Sequence, residues 1–212
     1  MQTISQKLCN LIKDGISIVK ENAVSALATV AEKAGENFIP FFKDTIYFLI
    51  GYLNTFLTPE YKQFRGQVIE AITIICAGCE PAFAPVAHDV IQVLLTIQNT
   101  QLEKRDAQRV YLLSAWQRIC LLMKADFAPY LKDVLPGIFS SATLNPQMGV
   151  AGQDTLASLT DVLSEIKPET ASGAKEEKLN VVTDEIDEKD VAIQMLAVFI
   201  DEVGEAFIDW VD

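Results

Sequence analysis

The sequence predicts an all-α protein, a stack of antiparallel helix pairs repeating every 44 to 45 residues. Three observations lead there. A Phe-x-Pro motif recurs at Phe38-Ile39-Pro40, Phe83-Ala84-Pro85 and Phe127-Ala128-Pro129, with an acid six places after each Phe at Asp44, Asp89 and Asp133. Apolar residues precede each Phe at constant offsets. No segment alternates with period two over a useful length, so strands are not required.

The offsets give each repeat its first helix face. Fifteen places before the Phe stand Ala23, Val68 and Leu112; at −12 stand Ala26, Ala71 and Ala115; at −11 Leu27, Ile72 and Trp116; at −8 Val30, Ile75 and Ile119. Steps of three, one and three fall on one side of a helix. A fourth copy fits Phe207, with Ala192, Met195, Leu196 and Phe199 at the same offsets, although Asp209 replaces the proline. Trp116 is therefore expected in the core.

Proline is tolerated in a first helical turn, whose N–H groups lack intrahelical partners, so Phe-x-Pro marks the entry of the next helix. Tight turns are expected at Ala34 to Asn37, Gly78 to Pro81 and Lys124 to Asp126, and second breaks near Pro59, Asn99 to Gln101 and Asn145 to Gly152. Tyr61 to Ala77 and Ala107 to Lys124 are apolar enough to bury two sides. The repeats fall roughly at 1–58, 59–99 and 100–145, with an insertion at 146–187 and a partial repeat at 188–212. The insertion follows from the spacing of Phe127 and Phe207, 80 residues, 36 more than the preceding step. It holds a polar linker, Lys167 to Gly173, and apolar residues at helical spacing from Asp154 to Ile166. Paired helices with this period have the form of HEAT repeats, an α-solenoid in which each pair buries little alone and stacks on its neighbours. The chain reads as an excerpt of a longer array whose last pair lacks a partner, so sticky or dimeric behaviour is expected.

Charge is unevenly spread. Residues 1–144 carry 13 bases and 13 acids, whereas residues 145–212 carry 4 bases and 16 acids, which accounts for the whole net charge of −12. A neutral body with an acidic end argues against direct nucleic-acid binding and suits a basic protein partner. Four cysteines, with no signal segment after Met1, point to a reduced intracellular setting. The longest apolar-looking stretch without charge, Thr45 to Pro59, is 15 residues and partly polar, too short for membrane insertion.

Catalysis finds little support. The only histidine is His88, and neither a Gly-rich phosphate loop nor a nucleophile elbow is present. Cys76-Ala77-Gly78-Cys79 is a lone Cys-x-x-Cys with no second pair and no nearby histidine, best read as two small buried residues at a helix turn. No catalytic, cofactor or metal residue is assigned.

Several segments together resemble a known family. They are Arg65-Gly66-x-x-Ile69-Glu70-x-Ile72, then Asp89-Val90-Ile91-Gln92-Val93-Leu94-Leu95, then Ser114-Ala115-Trp116, and finally Glu188-Lys189-x-x-Ala192-x-Gln194-Met195-Leu196. In order and spacing they resemble the central repeats of importin-β-type karyopherins, closest to the importin beta-3 (Ran-binding protein 5) subfamily, from about Ile16 to Trp210. The resemblance implies a nuclear transport receptor that shuttles between cytoplasm and nucleus. Such a receptor holds protein cargo on its concave face, releases it to Ran-GTP, and binds phenylalanine-glycine nucleoporins on its convex face. The subfamily's run of consecutive Asp followed by an aromatic is absent from this insertion. A HEAT scaffold subunit of a phosphatase or other assembly shares the period and is the alternative.

In HEAT arrays the helix before Phe-x-Pro lines the concave side. Offsets −13 (Ser25, Glu70, Ser114, Gln194) and −10 (Ala28, Thr73, Gln117, Ala197) lie off the apolar stripe, so Glu70, Ser114 and Gln117 are candidates for contact with an extended basic cargo segment. A plain solvated helix face explains the same pattern. The acidic residues Asp184, Glu185, Asp187 and Glu188 read either as an electrostatic lure for basic cargo or as acids at a helix start. Phe41, Phe42, Tyr47 and Phe48 read either as walls of a phenylalanine pocket or as packing between repeats.

Overall fold

A computed structural model describes residues 2–100, 102, 106–144 and 172–210, with side chains in the last stretch described from Ile186 onward. Among the described residues eight α-helices run in chain order: α1 (Gln2–Asp14), α2 (Ser17–Ala34), α3 (Ile39–Thr55), α4 (Lys62–Gly78), α5 (Ala87–Gln98), α6 (Gln108–Met123), α7 (Leu131–Ala142) and α8 (Ser172–Val203). No strand occurs among the described residues. The even-numbered helices form one layer, α2 on α4, α4 on α6 and α6 on α8, and each odd-numbered helix packs against its even-numbered successor. This is the α-solenoid that the period predicts.

Why the stack holds is visible in the stripe. Of the sixteen residues at −15, −12, −11 and −8, all are buried except Ala26, Val30 and Leu196, which are half-buried. The repeated Phe is buried in every copy: Phe38, Phe83, Phe127 and Phe207. Each fully buried side chain of this size contributes roughly 1.5–3 kcal/mol. Trp116 is in the core as expected, with its indole N–H donating to Gln98 Oε1 at 2.8 Å.

The turns repeat as well. The residue three places before the Phe adopts positive φ in three copies: Gly35 at 52°, Lys124 at 52° and Gly204 at 62°. Two of the three are glycine because that region crowds a Cβ, and Lys124 tolerates it at a cost of roughly 1 kcal/mol or more. Short 3₁₀ segments then lead into the odd-numbered helices, Gly35–Phe38 before α3 and Lys124–Tyr130 before α7. Pro40 sits in the first turn of α3, whereas Pro85 and Pro129 fall in the 3₁₀ lead-ins.

A second ladder went unread in the sequence. Eighteen places before each Phe is a base: Lys20, Arg65, Arg109, Lys189. Lys20 Nζ donates to the carbonyls of Ile12 and Lys13 at 2.8 and 2.6 Å, Arg65 to that of Phe56 at 3.2 Å, and Lys189 to that of Leu144 at 3.0 Å. Each therefore closes the carbonyl end of the preceding odd-numbered helix, where a cation is favoured. Arg109 does something different, described below.

The insertion reads differently at its edges. Helix α8 begins at Ser172, so it crosses the expected boundary at 187/188. Ser172 and Gly173, expected in a polar linker, are its first residues. The helical spacing expected from Asp154 to Ile166 and the break from Asn145 to Gly152 lie outside the described residues.

Candidate protein-binding face

Helices α2, α4, α6 and α8 each touch a helix on either side or behind, which leaves one stripe free. It falls at offsets −20, −13 and −6, spaced by seven residues or about two turns. The middle row is Ser25, Glu70, Ser114 and Gln194, exposed at the two ends and half-buried on the two central helices. The row at −6, Glu32, Ala77, Leu121 and Asp201, is exposed throughout, as is the row at −20, Ile18, Gln63, Ala107 and Asp187. Four parallel helices thus offer a continuous surface crossing the stack.

Glu70 and Ser114 lie on this face, as the sequence suggested, but the charge of Glu70 is not free. Arg118, on the neighbouring helix, approaches Glu70 Oε1 at 3.5 Å and donates to Thr73 Oγ1 at 3.3 Å. The centre of the face is therefore neutral. Arg118 itself was not foreseen, because offset −9 carries Thr29, Ile74 and Val198 in the other copies and shows no pattern.

Gln117 requires correction. Offset −10 does not face outward: Ala28 and Thr73 are buried at 3% and 0% exposure, and Gln117 is half-buried. This offset points along the stack toward the next helix, as the Thr73–Arg118 bond shows, together with the position of Gly66 at −17, where an added Cβ would meet the Tyr111 ring of α6 at 2.2 Å. Helical periodicity excludes −10 from the −15 stripe but does not say that a second neighbour covers it.

The acidic run divides. Asp184 and Glu185 lie within α8, but their side chains are outside the described residues. Asp187 is exposed on the free face, and Asp190 one turn on is exposed beside it. Glu188 is a correction: it is 4% exposed and belongs to no surface. Its Oε1 accepts from Arg109 Nε at 2.7 Å and from Ser141 Oγ at 2.5 Å, while Arg109 Nη2 donates to Ser141 at 3.1 Å. A buried carboxylate needs such partners. The result ties α6, α7 and α8 together.

A comparable tie joins α4 to the start of α6. Burial pushes the Asp106 carboxyl up, but bonds from the backbone N–H and side-chain amide of Gln108, both 3.0 Å, and the Lys62 ammonium at 3.1 Å hold it below the ordinary range on balance.

On the opposite side, a shallow groove of about 340 Å³ runs between α3 and α5, lined by Tyr47, Ile50, Asn54, Asp89, Gln92, Val93 and Thr96. Of the four aromatics singled out in the sequence only Tyr47 lines it, and its hydroxyl donates to Asp89 at 2.5 Å. Phe42 is in the core, and Phe41 and Phe48 are half-buried against it.

Cys76 and Cys79 are buried free thiols, both pushed up by burial, and Cys79 Sγ donates to the Gly35 carbonyl at 3.6 Å. They pack at the α4 turn. Among the described residues no cluster of three His, Cys, Asp or Glu side chains could hold a metal, and no helix is long and apolar enough to cross a membrane.

No protein-family profile matches the chain. Curated relatives do. Importin subunit beta-3 of Saccharomyces cerevisiae is 26% identical over 158 residues, 74% of this chain and 14% of that protein. The probable importin-5 homolog of Dictyostelium discoideum is 28% identical over 127 residues, 59% of this chain and 12% of that protein. The probable importin subunit beta-4 of Schizosaccharomyces pombe is 24% identical over 201 residues, 92% and 18%. Among solved structures, Kap121p matches with a TM-score of 0.73 at 21% identity, covering 99% of this chain and 19% of that one. Kap121p bound to RanGTP matches at 0.69 and 21%, with the same coverage. The chain thus spans less than a fifth of the length of the proteins it matches. In sequence the chain is similar to importin-β-type karyopherins, and in fold it is similar to Kap121p.

Proposed function

We propose that this stretch of an importin-β-type karyopherin holds a basic, extended segment of a protein cargo across the free face of α2, α4, α6 and α8, for Ran-regulated import into the nucleus. The observation that carries this reading is the charge on that face. Arg118 and Glu70 neutralise one another at its centre, and Asp187 and Asp201 stand exposed and without a basic partner within the described contacts at its α8 end. Solved relatives bound to RanGTP, to Nup53p and to the SUMO protease Ulp1p support the wider role of the parent. On this reading the basic part of the cargo lies over α8 and its neutral part over Ala77, Ser114 and Leu121.

The test is fluorescence anisotropy of a labelled Lys/Arg-rich peptide against the chain at rising salt. Binding that weakens with salt, and weakens further in Asp187→Asn with Asp201→Asn, supports the reading. Equal binding by these variants, or no preference over an acidic peptide, overturns it. Association with Ran-GTP and with phenylalanine-glycine repeats is a property proposed for the full-length parent, with shuttling between cytoplasm and nucleus.

A further inference from the structure

Offset −18 of one even-numbered helix meets offset −19 of the next in the α6–α8 seam, where Arg109 Nε donates to Glu188 Oε1 at 2.7 Å. In the α4–α6 seam the same two offsets are Arg65 and Gln108, 8% and 4% exposed. Glutamine reaches as far as glutamate, yet this pair is not bonded. Arg65 Nε and Gln108 Oε1 are both buried with no hydrogen-bond partner among the described residues. They are the donor and acceptor positions that meet one seam further along.

The difference has a cause in the sequence. Offset −21 is Asp106 in the third copy and Ile186 in the fourth. Asp106 Oδ1 accepts from the backbone N–H and from Nε2 of Gln108, each at 3.0 Å, which holds the amide nitrogen on the carboxylate and leaves its oxygen unbonded. Ile186 makes no such demand on Glu188. Arg65 Nη1 is occupied by the Phe56 carbonyl at 3.2 Å. Two observations bring the unbonded atoms to one place. Gly66, beside Arg65, lies against the ring of Tyr111, and Gln63 Nε2 donates to the Tyr111 hydroxyl at 2.9 Å. Burial pushes the Arg65 guanidinium below its ordinary range, and the Asp106 charge acts in the opposite direction, which requires the two groups to be close.

We propose that a single internal water molecule bridges Arg65 and Gln108 in the α4–α6 seam, accepting from Arg65 Nε and donating to Gln108 Oε1. The surroundings select a small neutral species. Asp106 and the amide oxygen repel an anion, and Arg65 repels a cation, as does Lys62, 3.1 Å from Asp106. Water both accepts and donates, and it removes the penalty of a buried donor and a buried acceptor left unbonded. The α4–α6 seam is joined through water at the position where the α6–α8 seam is joined directly.

A crystal structure of the 212-residue chain at a resolution that shows ordered water tests this. The expected result is one water within about 2.7–3.2 Å of both Arg65 Nε and Gln108 Oε1. A direct bond between the two side chains, another side chain between them, or an empty gap overturns the proposal. Oxygen-17 relaxation dispersion of the solvent, which counts long-lived internal waters, gives a second readout. Gln108→Glu supplies the group that bonds Arg109 directly in the next seam, and Gln108→Leu removes the acceptor. Each lowers the count by one, with helicity checked by circular dichroism. Should the leucine variant lose helicity, the glutamate variant decides, and a count equal to the parent's there overturns the proposal.

Discussion

The first helix pair and the last carry the same repeat but are held by different means. Between α1 and α2 lie two residues, Gly15 and Ile16, and Lys20 reaches back to the Ile12 and Lys13 carbonyls close by in sequence. Between α7 and α8 lie 29 residues. There the base at −18, Lys189, still reaches the Leu144 carbonyl, but a second fastening is added in the Arg109, Ser141 and Glu188 cluster. A larger apolar residue is added too: offset −8 is Phe199, buried and 5.1 Å from Phe127 between ring centroids, where the first pair has half-buried Val30. Where the chain does not keep two helices adjacent, buried polar and aromatic contacts do.

The largest expected effect comes from removing the aromatic. Phe199→Ala should cost about 3–5 kcal/mol, seen in urea denaturation, with amide exchange rising in α7 and α8 before α1 to α4. Val30→Ala should cost under about 1.5 kcal/mol, and equal losses at the two sites would break the contrast.

Next is the buried ion pair. Arg109→Met alone should cost about 3 kcal/mol, since it strands Glu188, whereas Arg109→Met with Glu188→Met should recover most of the loss. Thermal melts of the two variants decide the point; additive losses would mean the cluster is not coupled.

An intermediate effect is expected midway along the stack at Asp106, which holds Lys62 and Gln108. Its carboxyl lies below the ordinary range when folded, so its contribution is present above an unfolded pKa of about 3.9 and is lost as pH falls through the lower folded value. Asp106→Asn should lower stability by about 1 kcal/mol at neutral pH, with the difference from the parent vanishing in acid titrations of unfolding once the pH has fallen through the folded value. A difference that persists there would assign the effect to packing.

The smallest is Lys20→Met, about 0.5–1 kcal/mol, because the carbonyls it caps also reach solvent. A loss as large as that of Arg109→Met would erase the distinction between capping and crosslinking.

Much of the fold was legible in advance. The Phe-x-Pro period gave the turns, and the stripe at −15, −12, −11 and −8 gave the core, because burial against a fixed neighbour recurs with the helix period. The ladder of Lys20, Arg65, Arg109 and Lys189 was equally present in the sequence and could have been found by aligning the copies on bases rather than on apolar residues. Less of the candidate face could be read. Ser114 and Glu70 lie on it, but Gln117 shares the offset at which Ala28 and Thr73 are covered, and Glu188 is inside.

What the sequence determined by itself is therefore the all-α class, the period, the buried stripe and the acidic bias of the last third, all of which depend on residue type and spacing along one helix. Only the tertiary structure decided that offset −13 is free while −10 is covered, that Arg118 cancels Glu70, and that Glu188 leaves the acidic surface to bind Arg109. Spacing fixes which side chains share a face of a helix. It does not fix the direction from which the next helix arrives, and adjacent faces of one helix differ only by that direction.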